Sequence, residues 1–472
     1  MEDICSYALG IGQERSNYVE VKAERSFSNE IVLKNGKPET SGFDISYGLS
    51  VRVVVDGALG FSSTNNLERE NVRAVVEDAC SMAKAASRLI KRPISFSEEE
   101  RHSNVSYRVK ERESAIDISP EDKLGLLKEI NGSIPGDVRL AGNLMNLNDD
   151  VTEKHYINSE GSSIHSLIPK ISFFGFFNVI ENGDSAQAML EKGASKGWEA
   201  VEEWGLGDYV SEEISVLKNV LGKGKNPPKG SMDVLCGPEV TGIASHESCG
   251  HPYEADRILG REAAQAGESF VSLDMMGTRI GSDIVTLVDD PTIENSYGYY
   301  LYDDEGVKAK KRHLIREGII NELLHNRETA GQLGLKSNGS ARCNSYDREP
   351  IIRMANTFVE AGDWKKDEII EDTKRGVLIN SFTEWNIDDR RYNQKYVSRE
   401  AYLIEEGEIR YPLKKVSLEL TTPKFWSSVD AVADDVRFFA GNCGKGEPMQ
   451  GIPVFMGGPT IRLHDIDMGG SL

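Results

Sequence analysis

Apolar and polar residues alternate through the first sixty positions of the chain. Tyr18-Val19-Glu20-Val21-Lys22-Ala23 and Glu30-Ile31-Val32-Leu33 have the period of two that places alternate side chains on one face of a strand. Asn35-Gly36 is a turn signal between extended runs, and the run 49–55 ends at a second, Asp56-Gly57. Between 66 and 91 the period becomes helical, with Val72, Val75, Val76, Ala79, Cys80 and Ala83 on one face. Residues 92–115 are polar and predict a loop or short strands. Ser119-Pro120-Glu121 is a helix start, predicting a helix over about 120–131.

Strand patterning returns over 138–192, where Tyr156-Ile157-Asn158-Ser159-Glu160-Gly161 echoes Ile31-Val32-Leu33-Lys34-Asn35-Gly36 and raises an internal duplication. A helix is expected across 193–222. The Gly/Pro-rich stretch 223–230 breaks both periods and reads as a linker. The expected division is an N-terminal α/β domain over 1–222, with mixed sheets and helices, and a C-terminal domain over 231–472. The second opens with a strand at 231–236 and a helix. It then carries short β-like runs at 284–288, 377–381, 402–405, 416–420 and 452–456. The fold class is therefore α+β, with a mainly β C-terminal part holding one important helix.

Length and composition fit a multidomain globular protein: 472 residues, 39% hydrophobic and 28% charged. No apolar run reaches the 18 or so residues of a membrane span. The first residues lack a basic segment followed by an apolar one, so a cytoplasmic protein without a secretory signal is expected. A net charge of −21 argues against general binding to nucleic acid or anionic membranes. The six cysteines are scattered without a CxxC pair, the usage of a reduced chain.

The helix expected after Cys236-Gly237-Pro238-Glu239 carries the candidate chemistry, His246-Glu247-Ser248-Cys249-Gly250-His251. Val240, Ile243, Ala244 and Glu247 share a face that otherwise looks buried. A buried carboxylate is costly without a partner, and flanking imidazoles with a metal would provide one. The zincin pattern places its two His at i and i+4, on one helical face. Here the second His is at i+5, roughly 140° away on an ideal helix. Either a π-bulge restores the common face, or the helix ends at Gly250 and His251 folds back. Gly250 and Pro252 invite such a distortion.

The roles follow from these residue types. His246 and His251 would be neutral imidazole ligands of zinc, and Glu247 the general base toward a zinc-activated water. A chance grouping on a core helix is the plain alternative. A third ligand is needed. Glu254 and Asp256 are local candidates, and Cys443, set between glycines in Gly441-Asn442-Cys443-Gly444, is a remote one. Cys249 points away from both His and reads as a core thiol. Asp289-Asp290 and Asp303-Asp304-Glu305 read as solvated acidic turns. Tyr297, Tyr299, Tyr300 and Tyr302 read as alternate strand packing, with the floor of a peptide cleft as the rival. Arg353 and His325 are candidates for substrate and oxyanion contacts.

The segment from His246 to Asp256 resembles the TldD/PmbA family of proteases, specifically the TldD-type subunit. So do Gly298 to Gly306, Pro350-Ile351-Ile352-Arg353-Met354-Ala355-Asn356-Thr357, Asn442-Cys443-Gly444-Lys445 and Gly457-Gly458-Pro459-Thr460. The resemblance covers most of the chain and is strongest over 231–472. It implies zinc held by His246, His251 and Cys443, with Glu247 as base. It implies cleavage of peptides or unfolded polypeptides, held extended in an enclosed cleft by strand addition. It implies a barrel-like C-terminal domain and a dimer, either a homodimer or a heterodimer with a metal-free paralogue. Thr383-Glu384-Trp385-Asn386-Ile387-Asp388-Asp389 departs from the Gly-rich run the family commonly has there, a difference that bears on specificity or pairing. The rival functions are a catalytically silent peptide- or protein-binding subunit and a zinc amidase acting on a small molecule.

Overall fold

The turn pairs singled out in the sequence do what their residue types permit. In the computed structural model, which describes residues 1–261, 268–446 and 448–468, Asn35 and Gly36 both have positive φ, 50° and 73°. That backbone is the two-residue hairpin turn, and it joins Tyr18–Lys34 to Lys37–Val55. Asp56-Gly57 repeats the device toward Ala58–Thr64, and Asn182-Gly183 repeats it between Ser163–Glu181 and Asp184–Ala194.

These strands form one seven-stranded sheet. Its order is Ala58–Thr64, Lys37–Val55, Tyr18–Lys34, Arg139–Asn158, Ser163–Glu181 and Val105–Arg108, with Asp184–Ala194 also on Ser163–Glu181. Helices cover one face. Glu2–Gln13 and Arg69–Ala86 bury Val19, Val21, Val51 and Val53. Pro120–Ser133 and Leu206–Lys223 bury Ile31, Leu33, Leu147, Phe173 and Phe177. Ser119 caps its helix by accepting the Asp122 N–H at 3.1 Å. The helix Glu2–Gln13 was not anticipated. Its buried stripe is Cys5, Ala8, Ile11 and Gly12, small residues with a weak apolar signal at helical spacing.

Residues 224–229 lead from Leu206–Lys223 into Gly230–Cys236, and among the described residues two large sheets follow, with a two-stranded one formed by Ala341–Arg342 and Ile351–Ile352. A six-stranded sheet runs Ile319–Ile320, Arg312–Arg316, Leu287–Asp289, Asn356–Val359, Gln450–Gly458, Arg437–Lys445. A seven-stranded sheet runs Glu408–Pro412, Asn393–Glu405, Arg375–Ile387, Gly230–Cys236, Ile461–Met468, Val429–Val432, with Ser417–Thr421 on Asn393–Glu405. The helix Pro238–Ser245 lies between them. It packs on Asn356–Val359, Arg437–Lys445 and Gln450–Gly458 of one and on Gly230–Cys236 and Arg375–Ile387 of the other. The chain is α+β, as its pattern implied. Among the described residues no helix is long and apolar enough to cross a membrane.

The acidic turns are not solvated. Asp303 is buried and accepts the N–H groups of Glu305 (3.0 Å), Val307 (2.9 Å) and Ala341 (3.0 Å). Asp304 pairs with Lys154 (3.0 Å), and Glu305 with Arg52 (2.6 Å). Asp289 is paired with Arg312 and accepts the Ala355 N–H. Asp304 and Glu305 thereby join the polar face of the first sheet to the later part of the chain. Burying them is tolerable because each meets a cation or backbone donors. The tyrosine run lies in a connection, not a strand, and packs at the same junction.

Candidate metal centre

Gly230–Cys236 feeds directly into the site helix, with Pro238 in the first turn, where its missing N–H costs nothing. The helix does not run on as α. His246–Gly250 is one π-turn, closed by the His251 N–H to the His246 carbonyl. That i→i+5 bond returns His251 to the face of His246, as the spacing required. The two imidazoles stand edge to face, with centroids 4.9 Å apart and planes at 81°. Pro252 follows in a short 3₁₀ turn, and the backbone becomes extended at Glu254. Ser248 Oγ fixes the bulge on both sides, donating to the Ala244 carbonyl at 2.6 Å and accepting from Trp426 Nε1 at 2.9 Å.

Gly250 is required by packing. A Cβ there would lie 1.8 Å from Met354 Sδ. Gly250→Ala is expected to cost about 1–3 kcal/mol, as overpacking does, because Met354 must retreat. The check is urea unfolding of both proteins with and without zinc. A wild-type midpoint would show that the bulge has slack there.

Cys443 arrives from Arg437–Lys445, the edge strand of its sheet. Donor atoms of His246, His251 and Cys443 all lie within 4.8 Å of one another, and all three residues are buried. Cys443 Sγ is 3.4 Å from His251 Nε2. Tetrahedral zinc with its usual Zn–N and Zn–S lengths separates its ligand atoms by about 3.3–3.6 Å, so this donor set fits that ion. Among the described residues the buried His246 Nδ1 has no hydrogen-bond partner, a cost that a ligand would remove. Burial also lowers the His246 pKa, against the pull of Glu247 and Glu254, and so favours the neutral imidazole. At Cys443 burial raises the thiol pKa, but His251 and Arg353 outweigh it and bring the value down to about 7.

Glu254 and Asp256, the local candidates for a third ligand, hold other positions. Glu254 Oε2 accepts from His251 Nδ1 (3.1 Å) and Arg257 Nε (2.6 Å), and Lys445 Nζ lies 3.3 Å away. Asp256 receives Lys445 Nζ at 2.8 Å on each oxygen. Two buried acids thus meet two buried bases. Giving Nδ1–H to Glu254 aims the His251 Nε2 lone pair at Cys443, the usual orienting device for a ligating His. Lys445, two residues beyond Cys443, ties that strand to the segment after the bulge. Arg353 does the same from beneath, donating to the carbonyls of Cys443 and of Gln450 (2.8 Å). It supports the strand and is not placed against substrate. His325 bonds Thr329 Oγ1 at 3.1 Å and lies outside the cleft, so it is no oxyanion donor here. Cys249 is a buried core thiol.

The three residues open on a cleft of about 300 Å³, walled also by Glu191, Tyr209, Phe382, Trp385, Arg391 and Met456. Glu247 lines it beside the two His. Burial raises the Glu247 pKa, but His251, Arg391 and His246 outweigh that and hold it below the usual carboxylate value. Arg391 forms an ion pair with Glu247. Neither Arg391 nor the role of Trp385 was read from the sequence. Trp385 lies in Arg375–Ile387, within the Thr383–Asp389 segment that the sequence singled out, and Arg391 in the connection just after it.

A distorted helix bearing two His and a Glu, completed by a remote thiol beside a cleft, is a donor set suited to a metal ion. The chain belongs to the PmbA/TldD metallopeptidase family. Profiles described as PmbA/TldA metallopeptidase domain 1, central domain and C-terminal domain match residues 19–83, 113–217 and 229–470. A metalloprotease of Methanocaldococcus jannaschii is 31% identical over 95% of this chain and 96% of its own length. A protein described as a zinc metalloprotease TldD homolog, from Saccharolobus solfataricus, is 23% identical over 96% of this chain and 97% of its own. The crystal structure of TldE from Thermococcus kodakarensis superposes with a TM-score of 0.77 at 17% identity, covering 99% of this chain and all of that one, a likeness of fold.

Proposed function

We propose that this protein is a zinc-dependent peptidase acting on peptides or unfolded polypeptides held in extended form. The observation that carries this reading is the meeting of His246, His251 and Cys443 donor atoms within 4.8 Å, beside Glu247 in a walled cleft. His246, His251 and Cys443 would hold the ion. Zinc bound there supplies Lewis acidity toward a carbonyl oxygen and lowers the pKa of water to about 7. Glu247, kept ionised, takes the proton of the attacking water on a carboxylate oxygen and passes it to the departing amide nitrogen. Glu254 holds the His251 ring in register. Trp385 and Phe382, packed edge to face, give the cleft an aromatic wall. Among the described residues the edge of Arg437–Lys445 bears no further strand, which offers a peptide backbone a place to pair.

A paralogous subunit of the TldE kind, or a second copy, is the proposed partner. The test is zinc content and casein digestion on one preparation, alone and with that partner. Stoichiometric zinc with casein cleavage supports the reading, whereas a folded, zinc-free and inert protein overturns it. Cleavage of small amides but not casein would instead favour the amidase.

A further inference from the structure

Beside the Cys443 strand, the cleft presents an acid that the hydrolytic scheme does not use. Glu191 sits on Asp184–Ala194 and lines both the metal-site cleft and the adjoining one. Among the described residues it has no hydrogen bond and no ion pair. The nearby cations are committed elsewhere. Lys192 lies 4.1 Å from the Tyr209 ring centroid, Arg399 bridges Glu213 (2.8 Å) and Glu239 (3.1 Å), and Arg391 pairs with Glu247. Burial raises the Glu191 pKa to about 7. The walls beside it are Met189, Tyr209, Phe439 and Met456. Apolar and aromatic walls ending in a lone carboxylate suit an alkyl chain with a positive tip.

Its position relative to the metal centre is defined. A Cβ built at Gly441 would lie 3.7 Å from Glu191 Oε2. Gly441 and Cys443 are alternate residues of a regular strand, so they share a face about 6.6 Å apart. That is also the repeat of same-side side chains along an extended peptide. We infer that Glu191 makes a specificity subsite beside the scissile bond for an organic cation, a Lys or Arg side chain or a free amino terminus. A half-buried carboxylate with no partner among the described residues favours substrates that supply a cation to it.

This inference rests on the peptidase reading, and its test separates the two. The zinc-loaded protein is given an N-acetylated peptide containing Lys, its norleucine counterpart, and a Lys-free peptide with a free amino terminus. The expected kcat/KM preference for a cationic peptide over acetylated norleucine is about 10- to 100-fold, the value of a hydrogen bond to a charged group. Which cationic peptide is preferred identifies side chain or terminus. In Glu191→Gln the ratio should collapse toward one. Calorimetric binding of the same peptides to zinc-loaded Glu247→Gln reads the subsite without cleavage. Tighter binding of a cationic peptide supports Glu191 even if nothing is cut, an outcome that would defeat only the hydrolytic reading. Equal affinities, no binding of any peptide, or a preference unchanged in Glu191→Gln overturns the inference.

Discussion

Glu247→Gln is expected to abolish detectable peptide cleavage while leaving zinc bound. The substitution keeps the size of the side chain and an oxygen for Arg391, so the packing around the bulge is preserved. It removes the negative charge, and with it the ion pair to Arg391 and the capacity to accept the water proton and deliver it to the leaving nitrogen. General-base catalysis of this kind contributes about 10²- to 10⁴-fold, so the fall in kcat should be of that order. The measurement is casein digestion with metal analysis of the same sample. A variant that holds zinc and still cuts at the wild-type rate would remove Glu247 from the mechanism. Loss of zinc would show instead that the carboxylate's charge supports the ligand cluster.

The second large effect is expected at the remote corner of the site. Cys443→Ala takes away one of three protein donors and leaves two imidazoles. Outer partners of a metal site are worth about 10- to 100-fold in affinity, so losing a direct thiolate should cost more than about 100-fold. The strand itself should stay in place. Arg353 holds it through the carbonyl of residue 443, and Lys445 is anchored on Asp256 and the Ile352 carbonyl. The variant should therefore fold, emerge from gel filtration nearly free of zinc and lack activity. Wild-type zinc content would defeat the assignment and send the third ligand elsewhere. Glu254 would then be a poor substitute, since its Oε2 already serves His251, Arg257 and Lys445.

Local features were legible because their causes are local. Asn35-Gly36 and Asp56-Gly57 are residue types that reach positive φ at low cost, and the chain turns there. The i+5 spacing of His246 and His251, with Gly250 and Pro252, demanded a distortion, and the π-turn is the one found. Two errors share one origin. Asp303-Asp304-Glu305 looked like a solvated turn because charge in a sequence carries no mark of burial. The partners Arg52 and Lys154 lie far away in the chain and come from other strands. Arg353 looked like a substrate contact for the same reason, until its bonds to the Cys443 strand were visible.

By itself, then, the sequence determined the main N-terminal strands and turns, the site helix, the need for a distortion near Gly250, and the grouping of His246, Glu247 and His251 on one segment. Periodicity, backbone sterics and short-range spacing suffice for these. The residues alone left Glu254, Asp256 and Cys443 open as a third donor, and only the family resemblance pointed to Cys443. The tertiary structure decided that Sγ stands 3.4 Å from His251, that Arg391 faces Glu247, and that Glu191 lies against Gly441. Each of these depends on which strand edges meet. Side-chain alternation orients a residue within its strand but says nothing about the strand it will face.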